Sequence, residues 1–292
     1  MRNVIVQDTS LITIIIGLIL IVLLLSGMLT RPQMWVYPLV RQAVQLKVDF
    51  ETRDMIVHET EHFKIKYTKV DADTIGLIAK ASEAAYLPVT HELGYAPQGK
   101  TLILVQPNRN ELRKAFGWSG NESAMGVYWG GVIQLLSPNI WLSDGESVQE
   151  FIHSGPMVHE YTHLVFDHLT NGNYPRWFTE GLAQYVEYRV NGYEWQTPNN
   201  RLDGKLYTMA ELEKDFDELP NQSLAYRQSL AAVRFIGEVY GEEALRNVIA
   251  SLQVGQSMKQ AIQKNVGLTA TDFEQSWQQW AMKNMEKQKE KH

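Results

Sequence analysis

Two histidines stand four residues apart in Val158-His159-Glu160-Tyr161-Thr162-His163-Leu164, with a glutamate directly after the first. The segment from Pro156 to Thr170 has helical spacing. On a helix, four residues carry the chain only about 40° past a full turn, so both imidazoles project from one face. Two imidazoles placed in this way can hold one metal ion. Glu160 is offset around the helix and cannot readily ligate beside them, but it can reach a water on the metal, which is the place of a general base. Such a chain must bury the apolar sides of this helix and bring a further ligand to its histidine face.

A catalytic zinc site takes three protein ligands and keeps a fourth position open. With no cysteine in the chain, thiolate sites and disulfides are excluded, and histidine and carboxylate are the strong ligands that remain. Downstream, Pro175-Arg176-Trp177-Phe178-Thr179-Glu180-Gly181-Leu182-Ala183 opens a second helical pattern, and Asn171-Gly172-Asn173-Tyr174-Pro175 before it is a strong turn signal. Helix, turn and helix would fold back so that Glu180 faces His159 and His163, with the small Gly181 and Ala183 packing closely on the first helix. Gln184 and Glu187 share the helical face of Glu180, and either could hydrogen-bond a ligand histidine. Tyr226, at the start of a later helix, is the candidate oxyanion donor. His168 lies about 180° around the helix from His159 and is not expected to ligate.

The N-terminal part sets a different constraint. Leu11 to Leu29 carries no charge, and nineteen residues at 1.5 Å each reach roughly 28 Å, near the thickness of a bilayer's hydrocarbon core. A transmembrane anchor is expected there. It is expected to stay uncleaved, because Ser26-Gly27-Met28-Leu29-Thr30 offers no small-x-small cleavage site. Arg2 precedes the run and Arg31, Arg41 and Lys47 follow it, so charge does not fix an orientation. The net charge of -6 gives no general attraction to nucleic acid, and none is expected as a partner.

The organisation expected is a tail over 1–10, the anchor over 11–29, an amphipathic or extended connector over 30–57 and one domain over 58–288. Within the domain, residues 58–147 are strand-rich: His62 to Tyr67 alternates, Thr101 to Val105 is an apolar strand, and Gly126 to Leu136 reads as a strand interrupted at Gly130-Gly131. That last segment is a candidate edge strand on which an extended substrate could pair its backbone. Residues 148–288 are helical, with S/T-x-x-E caps at Thr208/Glu211 and Thr271/Glu274. The fold class is α+β.

HEYTH followed by WFTEGLAQY resembles the gluzincin metallopeptidases, in which a glutamate on a second helix completes the zinc site. It is most similar to the peptidase-MA-like group, with its H-E-x-T-H and W-x-x-E-G-x-A blocks. The specific motifs cover Val158 to Tyr188, and a looser similarity runs from Phe63 to Trp280. The resemblance implies a thermolysin-like domain with a mixed sheet and a helical C-terminal half. It implies one Zn2+ per chain on His159, His163 and Glu180, with Glu160 as general base and proton shuttle, acting on a peptide or protein. With the anchor, it implies a single-pass protein of the cell membrane, contacting the bilayer through residues 11–29 and holding its catalytic domain outside the cytoplasm. A catalytic domain facing the cytoplasm is a second placement. A non-catalytic binding or regulatory module on the same fold is the alternative function, against which the intact Glu160 argues. One departure stands out: the aspartate that thermolysin-type sites carry four residues after the glutamate ligand is Gln184 here.

Overall fold

In a computed structural model the described residues are 13–22, 31–118, 124–142 and 148–286. The connector expected before the domain is a nineteen-residue helix, α1 (Gln33–Glu51). Strands β1 (Ile56–Glu59) and β2 (Phe63–Tyr67) follow, then helix α2 (Ile75–Leu93), strand β3 (Thr101–Gln106) and helix α3 (Arg109–Phe116). Strands β4 (Gly126–Trp129) and β5 (Val132–Leu136) complete a five-stranded sheet of order β1-β2-β3-β5-β4. β2, β3 and β5 are parallel, while β1 and β4 are antiparallel edges, so the sheet is mixed. A parallel pair cannot be joined by a tight turn, and α2 makes the crossover from β2 to β3.

Side chains alternate across a strand, and here the two faces meet different partners. Phe63, Ile65, Ile103, Val105, Ile133 and Leu135 point into the main core with α2 and the helical half. Leu102, Leu104 and Val132 point the other way, where Val44 and Val48 of α1 cover them. A strand buried on both faces needs apolar residues at successive positions, which is why β3 reads as an unbroken apolar run. It is also why the segment expected as a connector is helical: the second sheet face requires a cover.

Gly126 to Leu136 is a hairpin rather than one interrupted strand. Gly130 and Gly131, with φ of 57° and 84°, form its two-residue turn, a conformation that costs glycine little. Their bare faces receive Val44, Gln45 and Arg41 of α1, so the close approach they permit is internal to the chain.

The helical half comprises α4 (Val148–Ser154), α5 (Met157–Thr170), α6 (Arg176–Asn191), α7 (Met209–Lys214) and α8 (Gln222–Phe235), with α9 (Glu242–Gln253), α10 (Met258–Asn265) and α11 (Ala270–Ala281) closing it. α5 packs against α2 and β4 on one side and α6 on the other, and α6 is held between α5 and α8. The Thr208/Glu211 capping box forms as expected. At α11 the cap is Thr269, which accepts from the Asp272 N–H, while Glu274 instead accepts from the Met209 N–H. α10 was not expected, although its Ser257/Gln260 capping box is readable in the sequence.

The transmembrane expectation is corrected. Within Leu11 to Leu29, residues 13–22 are described as helix, and ten residues reach about 15 Å, half of a hydrocarbon core. No helix among the described residues is long and apolar enough to cross a membrane. The single-pass placement in the cell membrane and the bilayer as partner are therefore not supported; the rest of that run lies outside the described residues.

Candidate metal site

α5 is buried nearly all round, with Val158, Tyr161, Leu164, Val165 and Phe166 in the core and Glu160, His163 and Asp167 buried among them. Asn171 ends it in the left-handed region, at φ 51°, and the chain turns through Gly172 to Pro175 into α6. The two helices form a hairpin whose facing surfaces carry His159, His163 and Glu180.

The Nε2 atoms of His159 and His163 lie 3.3 Å and 3.4 Å from the same oxygen, Oε2 of Glu180. The three ligand atoms lie within 4.8 Å of one another. Bonds of about 2.0–2.1 Å at tetrahedral angles separate neighbouring ligand atoms by about 3.3–3.4 Å. Two of the three separations match those edges and the third is at most 4.8 Å, so with this donor set the group could hold a zinc-sized divalent ion.

Each of the three is fixed from behind by a residue of α6. Thr179 Oγ1 is 2.7 Å from His163 Nδ1. Glu187 Oε2 is 3.4 Å from His159 Nδ1, and Glu187 is only 6% exposed. Arg176 Nη1 is 2.5 Å from Glu180 Oε1. With their Nδ1 atoms engaged, both imidazoles present Nε2 to Glu180. The carboxylate missing at Gln184 is thus supplied by Glu187. Gln184 instead donates from Nε2 to the carbonyls of Glu180 and Tyr226, tying α6 to α8.

Burial presses the Glu180 carboxyl upward, but the Arg176 guanidinium and the two histidines override it and hold the group well below the usual carboxylate range. Burial likewise opposes a proton on His159, yet Glu180 and Glu187 raise its pKa well above the ordinary value. Glu160 moves the other way: burial lifts its carboxyl above the usual range against the pull of His159 and His163.

Glu160 lies under the edge strand. The backbone N–H of Tyr128 donates to its carboxylate. A Cβ on Gly126 would come within 2.7 Å of Glu160 Cγ, so only glycine leaves the acid room there. The edge strand is therefore β4 alone, with β5 internal. Tyr226 is half-buried beside Phe216 and Trp195. Burial, then the Glu180 charge, with smaller contributions from Asp217 and Glu160, raise its hydroxyl pKa against Arg176, so it keeps its proton.

Sequence reasoning missed Arg176, Thr179 and a buried hub at Asp167. The i,i+4 spacing of Arg176 and Glu180 is a readable ion-pair signal; nothing in the sequence marks Thr179. Asp167, fully buried, accepts from Tyr128 Oη at 2.5 Å, Arg41 Nη1 at 2.8 Å and Tyr174 Oη at 2.9 Å. This joins β4, α1 and the α5–α6 turn. His168 stands beside that hub: burial and Arg41 lower its pKa to about 4. It takes no part in the His159 cluster.

The sequence pattern of the Peptidase MA superfamily matches residues 128–283, just over half of the chain. This chain belongs to the Peptidase MA superfamily. The matched stretch of this superfamily member runs from β4 through α5, α6 and α8 to the end of α11, so it holds every residue of the cluster. The Bacillus subtilis (strain 168) uncharacterized protein YhcO is 21% identical over 242 residues, covering 79% of this chain and 73% of YhcO. Among solved structures, Legionella pneumophila aminopeptidase A in complex with aspartic acid is similar at a TM-score of 0.47 and 14% identity, over 76% of this chain. A mutant M1 zinc metallopeptidase from Deinococcus radiodurans is similar at 0.38 and 12%, again over 76% of this chain. The chain spans 27% and 50% of the length of those two structures.

Proposed function

We propose that this superfamily member is a zinc-dependent metallopeptidase of gluzincin type. His159, His163 and Glu180 hold the metal, and Glu160 is the general base. The observation that carries the reading is the convergence of two Nε2 atoms on one Glu180 oxygen at 3.3 Å and 3.4 Å, two edge lengths that a tetrahedral site requires. When bound, zinc supplies Lewis acidity toward a carbonyl oxygen and toward the attacking water.

The chain's own groups supply the rest. Glu160, whose buried carboxylate binds a proton more readily than an exposed one, takes the proton of the attacking water and passes it to the leaving amine. Tyr226, protonated and within the field of the Glu180 charge, is the group we assign to donate a hydrogen bond to the developing oxyanion. β4, the sheet edge whose Tyr128 N–H donates to Glu160, offers its remaining outward backbone groups to an extended peptide. The test is stoichiometric zinc in the wild-type protein together with hydrolysis of a peptide library that disappears in Glu160→Gln. Absence of zinc would remove the reading.

A further inference from the structure

Glu180 shows its two oxygens to different groups. Oε2 faces the Nε2 atoms of His159 and His163, while Oε1 faces Arg176 Nη1 at 2.5 Å. The carboxylate is 2% exposed, so no solvent satisfies Oε1 in place of the guanidinium. Arg176 is itself held from outside: its Nε donates to Asp217 Oδ1 at 3.2 Å, and its guanidinium lies over the Phe216 ring at 5.8 Å. A relay therefore runs from the surface, Asp217 to Arg176 to Glu180, and ends on the atom that would meet the metal.

We propose that Arg176 is a positioning residue that holds Glu180 as a one-oxygen metal ligand. This rests on the metal site argued above. A carboxylate can bind a metal through one oxygen or two, and a free one can swing between them. A guanidinium on Oε1 removes that choice, because its N–H groups lie in a rigid plane. α6 thereby carries one ligand and the holders of all three: Arg176 for Glu180, Thr179 for His163 and Glu187 for His159. The steps from 176 to 180 and 187 keep these residues on one helical stripe.

The test measures metal affinity by competition with a chelator, using Zn2+ and Co2+, on the full chain and its variants. Arg176→Gln should bind either metal about 10- to 100-fold more weakly, the range for loss of a group that orients a ligand. Its metal-free thermal midpoint should fall, because a buried carboxylate loses its cation, so affinity is compared at a temperature where both chains are folded. Arg176→Lys, which keeps the charge but loses the planar fork, should recover part of the affinity. Asp217→Asn should show a smaller loss in the same direction and carries the test if Arg176→Gln does not fold. The Co2+ visible spectrum should keep four-coordinate bands in the wild type and lose intensity in Arg176→Gln, as the released Glu180 adds its second oxygen. Equal or tighter binding by Arg176→Gln, with an unchanged Co2+ spectrum, overturns the proposal and leaves the metal site standing. A wild-type chain that binds neither metal overturns both.

Discussion

Gly181 follows Glu180 directly, and its α-carbon faces α8. A Cβ placed on it would lie 2.2 Å from the Ser229 carbonyl oxygen and 2.7 Å from Val233 Cγ2. The first distance is over 1 Å inside ordinary contact, and the obstacle is backbone, which no side-chain rotation relieves. Gly181→Ala must therefore push α6 and α8 apart. The sequence suggested that this glycine eases packing on α5, whereas the close neighbour is α8. Overpacking of this kind costs roughly 1–3 kcal/mol or more, offset by about 1 kcal/mol from the better helix propensity of alanine. A net loss near 2 kcal/mol would lower the thermal midpoint by roughly 4–8 °C for a domain of this size. The functional effect should be larger, because Tyr226, the proposed oxyanion donor, lies on α8 one turn before Ser229. A displacement on the order of 1 Å at a catalytic group can cost 100-fold in rate. Urea unfolding, zinc content and peptide hydrolysis should show a lowered midpoint, retained zinc and a reduced kcat. A variant as stable as the wild type, or more stable, would refute the packing argument.

Two further outcomes follow from the site's surroundings. Glu187→Gln should weaken zinc binding about 10- to 100-fold in a competition assay, since it removes the charge behind His159; unchanged affinity would show that Glu187 only fills space. His168 is held neutral by burial and by Arg41, with a pKa of about 4 in place of 6.5. The unfolded chain binds its proton more readily between those values, so stability is full above pH 6.5 and falls as pH drops toward 4. After a discount for partial exposure the loss is about 2–3 kcal/mol. His168→Gln should flatten that part of the stability–pH curve, as read by urea midpoints at pH 7.5 and 4.5; an unchanged slope would contradict it.

Much of the site is legible because its spacings are local. A four-residue step between the histidines puts both on one face, and the turn signal ending at Pro175 folds α6 back onto α5. The choice between Gln184 and Glu187 was not legible from the helical face, since both lie on the Glu180 stripe. The antiparallel pairing of α5 and α6 decides it: His163 meets the early residue Thr179, so His159, one turn before it, meets the late residue Glu187. The Asp167 hub was hidden for a different reason. Its partners Arg41, Tyr128 and Tyr174 come from three separate segments, and no periodicity links them. The sequence predicts only a connector where α1 lies, because its pattern shows amphipathicity without showing that the second sheet face needs a cover. The anchor expectation rested on length and apolarity alone, and no helix among the described residues has both.

The most direct test of the metallopeptidase reading compares wild type with Glu160→Gln, both assayed for zinc and for hydrolysis of a peptide library. Gln keeps the side chain's shape beneath Gly126 but cannot take a proton. Both proteins should bind one zinc per chain, and hydrolysis in the variant should fall by about 100- to 10,000-fold, the usual contribution of a general base. Near-normal hydrolysis by zinc-loaded Glu160→Gln would contradict the account.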